Sequence, residues 1–340
     1  MAQAPLSDPF DIGGVVIPNR VLLAPLAGIG NWFVRLQARR HGAGMAYSEM
    51  VSSFAIHHRN EKTLTELLHI DPRERAIAPA GPVAIQLFGQ DPEIMRSAAA
   101  TAAERGADII DLNMGCPVPK VFRTGAGAAL LRDPDLAVAV ARAAAEGGGV
   151  PVTVKLRSGL RAGDDSGVEL ARRLVEDGGV AAIGFHPRSA QVQHKGVPDY
   201  ELAARLVEEL PVPVVLSGGL SDEQRVWAAY EQTGAAAVML ARGQLGDPWL
   251  FERVLGRREG PATRAEIVAE LEWIMDCAIE HLGVDRAGRY LRKFYPWYLT
   301  QFGCSKAEQQ AFQAAEGLAA ARELLHAVAV ARIDPVGAGA

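Results

Sequence analysis

The sequence is poor in cysteine and lacks the marks of an exported or membrane protein. Its three cysteines, Cys116, Cys277 and Cys304, lie far apart and show no metal-site spacing, so neither a disulfide framework nor a zinc site is expected. This scarcity favours a reducing, cytoplasmic setting. The first twenty residues lack a basic start followed by an apolar segment, and no apolar run is long enough to cross a bilayer. Export and membrane insertion are therefore not expected.

Positive charge is not in excess either. The formal net charge is -5 and the pI is about 5.9, which argues against a protein that coats nucleic acid through bulk charge but leaves room for a local basic patch. A glycine fingerprint for dinucleotide binding is also missing, because residues 24–30 read APLAGIG, with the wrong spacing. With 340 residues, 49% of them apolar, the chain is long enough for one large domain and a smaller one.

What the chain does contain is a repeated unit of an apolar, strand-like run followed by a helix-like segment. Helices predicted over residues 92–105, 134–146 and 222–231 each follow a capping residue, namely Asp91, Asp133 or Ser221. Alternation of this kind implies parallel strands, and eight units favour an α/β fold of the closed (β/α)8 TIM-barrel type. A doubly wound open sheet is the alternative, weakened by the missing fingerprint. The predicted strands are residues 21–24, 45–50, 83–88, 109–113, 152–156, 181–186, 214–217 and 237–241.

Polar and ionisable residues collect at the carboxyl ends of these predicted strands. In a TIM barrel the active site lies at that end, and polar groups are costly inside an apolar strand unless they are paired. We therefore expect a functional site built from these residues: Pro25, Ser48, Glu49, Gln86, Asn113, Cys116, Lys155, Arg157, His186, Arg188, Ser217, Gly218, Gly219, Arg242 and Gly243.

The most informative stretch is residues 108–131, which read DIIDLNMGCPVPKVFRTGAGAALL. A short apolar strand runs here into a loop that places Cys116 just past the carboxyl end of the strand. Pro117 and Pro119 stiffen the loop, while Gly125 and Gly127 give its far side conformational freedom, which suits a flap over a ligand. The competing interpretation is a buried and inert cysteine.

The last two strands predict a phosphate site. Barrels often hold a phosphate with the loops after strands seven and eight, and residues 217–219 and 241–243, including Ala241, supply such loops here. A phosphorylated ligand lying across the barrel mouth would bring its far end to Gln86, Lys155 and His186. For a flavin, a cation at that end stabilises the anionic reduced ring, and Lys155 is the candidate for it. Alternatively, Lys155 reaches solvent and His186 is an ordinary core histidine.

The region after about residue 257 predicts a small helical bundle. Thr263 and Glu266 have capping-box spacing, as do Ser305 and Glu308, and apolar residues follow each pair at helical period. We expect a barrel domain over residues 1–256, a boundary at residues 256–261, a helical domain over residues 262–332, and a tail over residues 333–340.

Cationic and aromatic residues interleave between these helices, in the stretch DRAGRYLRKFYPWYLTQF. On a helix, Arg286, Arg289 and Lys293 share one face, with Arg292 beside it. Such interleaving suits phosphates and unstacked bases. The alternative is a bundle helix with an aromatic core stripe and a solvated basic face.

Several motifs carry a family resemblance across almost the whole predicted barrel. They are APLAG, QLFG, DLNMGCPVPKV, TGAGAALL, VKLR, HPRSAQ, SGG and VMLARGQLGDPWLF, in that order. The chain resembles the tRNA-dihydrouridine synthases in these motifs, and the NMGCP loop is the most specific of them. The resemblance implies an FMN barrel with a helical C-terminal domain that reduces selected uridines of tRNA to 5,6-dihydrouridine with electrons from NADPH.

The resemblance also implies roles for individual residues. Cys116 is the implied proton donor, a role that suits a thiol because cysteine is mostly protonated at neutral pH yet gives up its proton readily. Asn113 and Arg188 are the implied substrate contacts, although Pro187 departs from the usual glycine before Arg188. The implied cofactor set is Pro25, Gln86, Lys155, His186, Ser217, Gly218, Gly219, Ala241 and Arg242. The implied tRNA track is Arg289, Arg292 and Lys293, extended by Lys120, Arg123 and Lys195 at the barrel mouth.

Two other functions compete with this prediction. A different FMN barrel, of the dihydroorotate or enoate reductase type, shares the phosphate loops and the flavin-side lysine but gives no role to the basic helical domain. A non-enzymatic RNA-binding protein explains that domain but not Cys116 or the residues at the strand ends. The expected partner is therefore tRNA, with no metal and no membrane, and a monomer is favoured.

Overall fold

The strands form a closed parallel barrel preceded by a short hairpin. The computed structural model describes residues 3–77 and 81–331. Its strands are β1 (Phe10–Ile12), β2 (Val15–Ile17), β3 (Val21–Leu23), β4 (Ala46–Ser52), β5 (Val83–Phe88), β6 (Ile109–Asn113), β7 (Val152–Arg157), β8 (Ala182–His186), β9 (Val214–Ser217) and β10 (Ala237–Leu240). The eight strands β3 to β10 pair in chain order, and β10 closes on β3. The predicted TIM barrel is confirmed, and each predicted strand overlaps an observed one.

Helices surround the barrel and follow it at the C-terminus. Those of the barrel region are α1 (Trp32–Arg40), α2 (Ser53–His57), α3 (Pro72–Ala76), α4 (Pro92–Glu104), α5 (Pro119–Phe122), α6 (Pro134–Gly148), α7 (Ser166–Glu176), α8 (Tyr200–Glu209), α9 (Glu223–Thr233) and α10 (Leu250–Val254). Those that follow are α11 (Arg264–Leu282), α12 (Val284–Leu291), α13 (Tyr295–Gln301), α14 (Lys306–Ala314) and α15 (Gly317–Ala331). The predicted caps Asp91 and Asp133 accept hydrogen bonds from the first turns of α4 and α6, whereas α9 is capped by Asp222 and not by Ser221.

Two apolar cores stabilise the barrel. The larger lies between the strands and the surrounding helices, and the smaller fills the barrel interior with residues such as Leu22, Tyr47 and Met239. Alternate residues of a strand point to opposite faces, so each barrel strand except β7 contributes to both cores, and β7 contributes only to the larger one. This explains the nearly continuous apolar runs in the sequence.

The hairpin β1–β2 was not among the predicted elements. Its turn holds Gly13 and Gly14 at positive φ, and the Gly14 N–H donates to Asp11 Oδ1 at 2.8 Å, an arrangement typical of two-residue hairpin turns. Ile12 and Ile17 are fully buried and pack into the interior core. The hairpin therefore closes the end of the barrel that is opposite the carboxyl ends of the strands.

The C-terminal helices begin where the capping boxes predict. Thr263 with Glu266 and Ser305 with Glu308 form both reciprocal bonds. The basic and aromatic stretch is not one helix, because it splits into α12 and α13, and a proline in the first turn of α13 disfavours helical geometry in the residue before it. The predicted domain boundary at residues 256–261 falls between α10 and α11 and stays a prediction. The predicted tail lies outside the described residues.

Polar contacts join the C-terminal helices to α1. Gln37 Nε2 donates to Glu270 Oε1 at 2.9 Å and to the Tyr298 hydroxyl at 2.7 Å, and both acceptors are buried. The Asn31 amide donates to the Tyr290 hydroxyl at 2.7 Å. These contacts hold α11 and α13 against α1, and α12 against the end of the loop that follows β3. Among the helices of the described residues, none is both long and apolar enough to cross a membrane.

A fully buried ion pair fixes α1 to the segment that follows β4. Arg35 Nε lies 2.8 Å from Glu74 Oε2, and both side chains have 0% exposure. A second bond of 2.8 Å joins Arg35 Nη2 to Glu74 Oε1, which makes the contact bidentate. Because the pair is dry and fully hydrogen-bonded, loss of one partner would leave a buried charge without compensation.

We predict that Arg35→Met lowers the free energy of unfolding by about 3–5 kcal/mol, because Glu74 then remains buried without its partner. Arg172→Met is the matched control, since Arg172 pairs with Glu169 and Glu209 on the surface and such pairs contribute about 0–1 kcal/mol. Urea denaturation of the variants measures the difference. Equal losses of stability in both variants would contradict the assignment.

Candidate functional site

A large cleft opens at the carboxyl ends of the barrel strands. Its volume is about 1020 Å³, which lies at the upper end of the range for small-molecule and cofactor sites. Every barrel residue predicted for the cofactor lines this cleft, as do Cys116 and both predicted substrate contacts of the barrel. These residues are Pro25, Gln86, Asn113, Cys116, Lys155, His186, Arg188, Ser217, Gly218, Gly219, Ala241 and Arg242.

The loop after β6 is held by the side chain of Asn113. Its Oδ1 accepts from the backbone N–H of Gly115 at 3.2 Å and from that of Cys116 at 2.9 Å. Asparagine often organises a turn through its own side chain in this way. Gly127, at φ +64, lies against the Cys116 carbonyl, where an added Cβ would approach within 2.7 Å. The loop therefore packs tightly on both sides of Cys116 and leaves it partly exposed to the cleft.

Lys155 lies half-buried beside the last two barrel strands. Its Nζ donates to Ser217 Oγ at 3.2 Å. Burial lowers the pKa of Lys155 to about 8, and the nearby charge of Arg157 acts in the same direction. Lys155 therefore gives up its proton more readily than an ordinary lysine. An anionic ligand in the cleft would stabilise the charged form of Lys155.

His186 is neutral in this environment. Its pKa is lowered far below the usual value, first by burial and then by the charges of Lys155, Arg157 and Arg188. Arg188 Nη1 lies 3.2 Å from His186 Nε2, and because a guanidinium can only donate, Nε2 accepts and the ring proton lies on Nδ1. Arg188 Nη2 also donates to the Gly196 carbonyl at 2.6 Å, which ties this pair to the loop after β8.

The loop after β9 has no room for side chains. Gly218, at φ +96, would place a Cβ 2.3 Å from His186 Cδ2, and Gly219, at φ +80, would place one 2.5 Å from the Tyr200 hydroxyl. Backbone without Cβ atoms can approach a ligand closely. Together with the loop over residues 241–243, these glycines form a cradle whose composition fits a phosphate group.

Several cleft residues were not predicted as ligand contacts. These residues are Met50, His194, Tyr200 and Gln301. Met50 lies near the end of β4, whereas the other three come from loops or helices and carry no signal of their own in the sequence. Arg157 was noted at a strand end, and it holds the Cys116 loop, since its Nε donates to the Gly115 carbonyl at 2.8 Å.

The predicted tRNA contacts lie outside the cleft. Lys120 is exposed on α5, Lys195 is exposed on the loop after β8, and Arg289 and Arg292 are exposed on or just after α12. Lys293 is different, because its Nζ donates to the Gly28 carbonyl at 2.9 Å and lies over the Tyr290 ring. It therefore connects α12 to the loop after β3. In the part of the chain that the structure describes, no group of three His, Cys, Asp or Glu side chains could hold a metal ion.

Solved structures with a similar fold include morphinone reductase and an old yellow enzyme homologue. Morphinone reductase superposes with a TM-score of 0.56 at 17% identity, covering 78% of this chain and 93% of that one. The old yellow enzyme homologue from Zymomonas mobilis gives a TM-score of 0.55 at 15% identity, covering 78% of this chain and 96% of the other. At such identities the likeness supports the fold alone.

Curated relatives match at higher identity and over most of their length. A protein of Pasteurella multocida named tRNA-dihydrouridine synthase B is 34% identical over 312 residues, covering 89% of this chain and 90% of the relative. Its namesake in Pseudomonas aeruginosa is 35% identical over 296 residues, covering 85% and 86%. The family model described as dihydrouridine synthase matches residues 22–332. With the loop of Cys116 at the mouth of the cleft and a match that spans the barrel and the helices after it, the chain belongs to the dihydrouridine synthase family.

Proposed function

We propose that the protein is a tRNA-dihydrouridine synthase that reduces the C5=C6 bond of selected uridines, with FMN as cofactor and NADPH as the source of electrons. The observation that carries this proposal is the position of Cys116 in a cleft that also contains a phosphate cradle, in a chain of this family. A reducing, cytoplasmic setting, in which Cys116 stays a thiol, is part of the proposal.

The cleft residues fit an FMN. Gly218, Gly219 and Arg242 would hold the phosphate, because backbone N–H groups and a guanidinium are suited to an anion. Lys155 and Gln86 would contact the ring, with Pro25, His186, Ser217 and Ala241 around it. When bound there, the flavin supplies the hydride that adds to C6 of uracil. The lowered pKa of Lys155 fits a site that becomes more cationic as a ligand gains negative charge.

Cys116 would complete the reduction from the loop after β6. Addition of a hydride at C6 leaves an enolate, which must take a proton at C5, and the Cys116 thiol would give this proton. The loop holds Cys116 through the bond from its N–H to Asn113 Oδ1. In the same cleft, Asn113 and Arg188 would bind the uracil. Arg157 donates a hydrogen bond to the Gly115 carbonyl and would thereby fix the position of the loop relative to the base.

The RNA must be held outside the cleft, because a uridine in folded tRNA is stacked or paired and has to leave its stack to reach the barrel. Gln301 of α13 lines the cleft, so the C-terminal helices flank its mouth. We propose residues 262–332 as the tRNA-binding domain, with contacts from Arg289, Arg292 and Lys293. Lys120 and Lys195 would extend these contacts on the opposite loops.

We predict that Cys116→Ala keeps its flavin and its oxidation of NADPH while dihydrouridine formation falls about a hundredfold to ten-thousandfold, the usual effect of losing a general acid. Single-turnover reduction of tRNA from a strain lacking the modification measures this step. Cys304→Ala is the matched control, since Cys304 does not line the cleft. An unchanged tRNA reduction rate in Cys116→Ala would remove the thiol from the mechanism.

Turnover of small enones instead of tRNA by the wild-type protein would point to an enoate reductase.

A second prediction concerns the phosphate cradle. Gly218→Ala should weaken flavin binding about tenfold to a hundredfold, because strain of about 1–3 kcal/mol at positive φ adds to the overlap with His186. Fluorescence titration of the apoprotein with FMN measures the affinity. Gly234→Ala is the control, because Gly234 also has positive φ (+64) but an added Cβ would meet only Val207 Cγ1, at 3.8 Å. The cradle is wrongly assigned if both variants bind FMN equally well.

A third prediction concerns the RNA surface. Within residues 3–77 and 81–331, neither Arg289 nor Arg292 has a side-chain ion-pair partner, whereas Arg286 pairs with Glu66 at 2.7 Å. The double variant Arg289→Ala/Arg292→Ala should bind tRNA more weakly, with a log–log salt slope smaller by about two, since each lost phosphate contact reduces the slope by about one. NADPH oxidation should not change.

Arg286→Ala is the control for this surface, since its guanidinium is already neutralised by Glu66. Filter binding over a range of salt concentrations measures the slopes. If the control and the double variant lose tRNA affinity equally, the contact does not involve Arg289 and Arg292 specifically.

A further inference from the structure

A buried carboxylate lies beneath the cleft, inside the barrel. Asp111, on β6, is 1% exposed. Its Oδ1 accepts from Thr153 Oγ1 at 2.6 Å, and its Oδ2 accepts from Gln86 Nε2 at 2.6 Å. A charged side chain in an otherwise apolar strand is costly unless it is paired, and in this strand the partners are two neutral groups. The mechanism described above gives Asp111 no task.

The hydrogen bonds continue from Asp111 to the loop of Cys116. Asn113 Nδ2 donates to Gln86 Oε1 at 2.9 Å, and Asn113 Oδ1 in turn accepts from the Cys116 N–H at 2.9 Å. The carboxylate at one end and the reactive cysteine at the other are therefore joined through two side-chain amides. We call the chain Asp111–Gln86–Asn113–Cys116 the amide relay.

The two ends of the amide relay set the direction of its bonds, because the backbone N–H groups of Gly115 and Cys116 can only donate to Asn113 Oδ1 and an ionised carboxylate can only accept. An ionised Asp111 can only accept, so Gln86 must turn its NH2 group towards it and its carbonyl oxygen towards Asn113. Asn113 must then turn its own NH2 group towards Gln86, which leaves its oxygen for the Cys116 N–H. A protonated Asp111 could also donate, and only the backbone N–H groups of Gly115 and Cys116 would then oppose the reversed orientation of both amides. In that orientation Asn113 would face the Cys116 N–H with a second donor, and the bond would be lost.

The orientation of the Gln86 and Asn113 amides also determines which hydrogen-bonding groups they present to a ligand. Each NH2 group has a second N–H beyond the one used in the relay. Among the residues that the structure describes, the second N–H of Asn113 meets only a weak acceptor, Met50 Sδ, at 3.8 Å. Both Gln86 and Asn113 line the cleft, so with Asp111 ionised the cleft floor offers donors. Donors match carbonyl oxygens, which both a flavin ring and a uracil carry.

We infer that Asp111 is a positioning residue that orients the Gln86 and Asn113 amides as donors towards carbonyl groups in the cleft and holds the Cys116 loop through Asn113. The inference rests on the proposed function for the identity of the carbonyl-bearing ligands. The orientation itself concerns residues of this chain and can be tested without turnover.

The pKa of Asp111 depends on its burial and on the charged and titratable groups around it. Burial raises the pKa of Asp111 to about 6, opposed by the bonds from Thr153 and Gln86 and by the charge of Lys155 on β7. Tyr47, on β4, also faces it, and its pKa is raised well above 10 by burial and by Asp111, so it stays neutral. As the pH falls through about 6, Asp111 gains a proton. The amide relay then loses the obligate acceptor that orients the Gln86 amide.

The test compares Asp111→Asn with Thr153→Val in the full-length protein. Asp111→Asn replaces the obligate acceptor with a group that also donates, whereas Thr153→Val removes a bond to Asp111 but keeps its charge. FMN affinity is measured on the apoproteins by fluorescence between pH 5 and 8. We expect the wild type to bind FMN more weakly below about pH 6. We expect Thr153→Val to show the same loss of affinity at a higher pH, because the bond that lowers the pKa of Asp111 is gone. We expect Asp111→Asn to bind about tenfold more weakly at pH 8 and to show no such pH dependence.

A measurement on the wild type covers the case in which Asp111→Asn does not fold. In apoprotein with labelled asparagine, glutamine and cysteine, the side-chain amides of Gln86 and Asn113 and the backbone N–H of Cys116 should titrate in NMR spectra with one common midpoint. Separate midpoints, or no titration of the Cys116 N–H, would overturn the inference. So would an Asp111→Asn protein that folds and keeps the affinity and pH profile of the wild type.

These outcomes are distinguishable from failure of the proposed function. If the protein binds FMN but reduces no tRNA, the function is wrong and the titration of the amide relay still decides the role of Asp111. If tRNA is reduced while Asp111→Asn behaves as the wild type, only the inference fails.

Discussion

The parallel register of neighbouring barrel strands is the constraint on which the site depends. Gln86 pairs with Asp111, Asn113 with Lys155, and Arg157 with His186. Because side chains alternate between the two faces of a strand and successive strands are staggered, these pairings bring residues that are far apart in sequence to one end of the barrel. A shift of one residue would turn each of them to the opposite face. The apolar cores on both faces make such a shift prohibitive.

The same geometry concentrates positive charge in the cleft. Lys155, Arg157 and Arg188 lie around His186, whose pKa is lowered by burial and by these cationic neighbours. Arg242 lies near Arg188, whose pKa is lowered by burial and further by this neighbour. Burial lowers the pKa of Arg157 to about 10. Cations held together in a partly buried site repel one another, and that repulsion is relieved when an anion enters. The cleft is therefore suited to a phosphorylated ligand although the protein as a whole carries a net charge of -5.

The barrel and most of the cleft could be predicted from the sequence because both depend on local patterns. Apolar runs, capping residues and polar residues at strand ends occupy fixed places in each unit. The hairpin was missed because three-residue strands are too short to show a period. The split between α12 and α13 was missed although Pro296 marks it, because the aromatic residues continue the helical stripe across the break. The bond from Lys293 to Gly28 joins distant segments, which no local pattern encodes. Asp111 had a visible signal, a charge within an apolar strand, but its partners on β5 and β7 become apparent only when the strands are paired.

The contacts between α1 and the C-terminal helices also bear on how a long substrate could be selected. Gln37, Asn31 and the ion pair of Arg286 with Glu66 join the two parts of the molecule at separate points, so the helices are fixed to the barrel and do not swing on a tether. The distance from the basic residues of α12 to the cleft is therefore fixed by the fold. If RNA binds at that surface, as proposed, the nucleotide at the matching distance would be the one presented to the cleft. Selection would then depend on distance and not on the identity of the neighbouring bases.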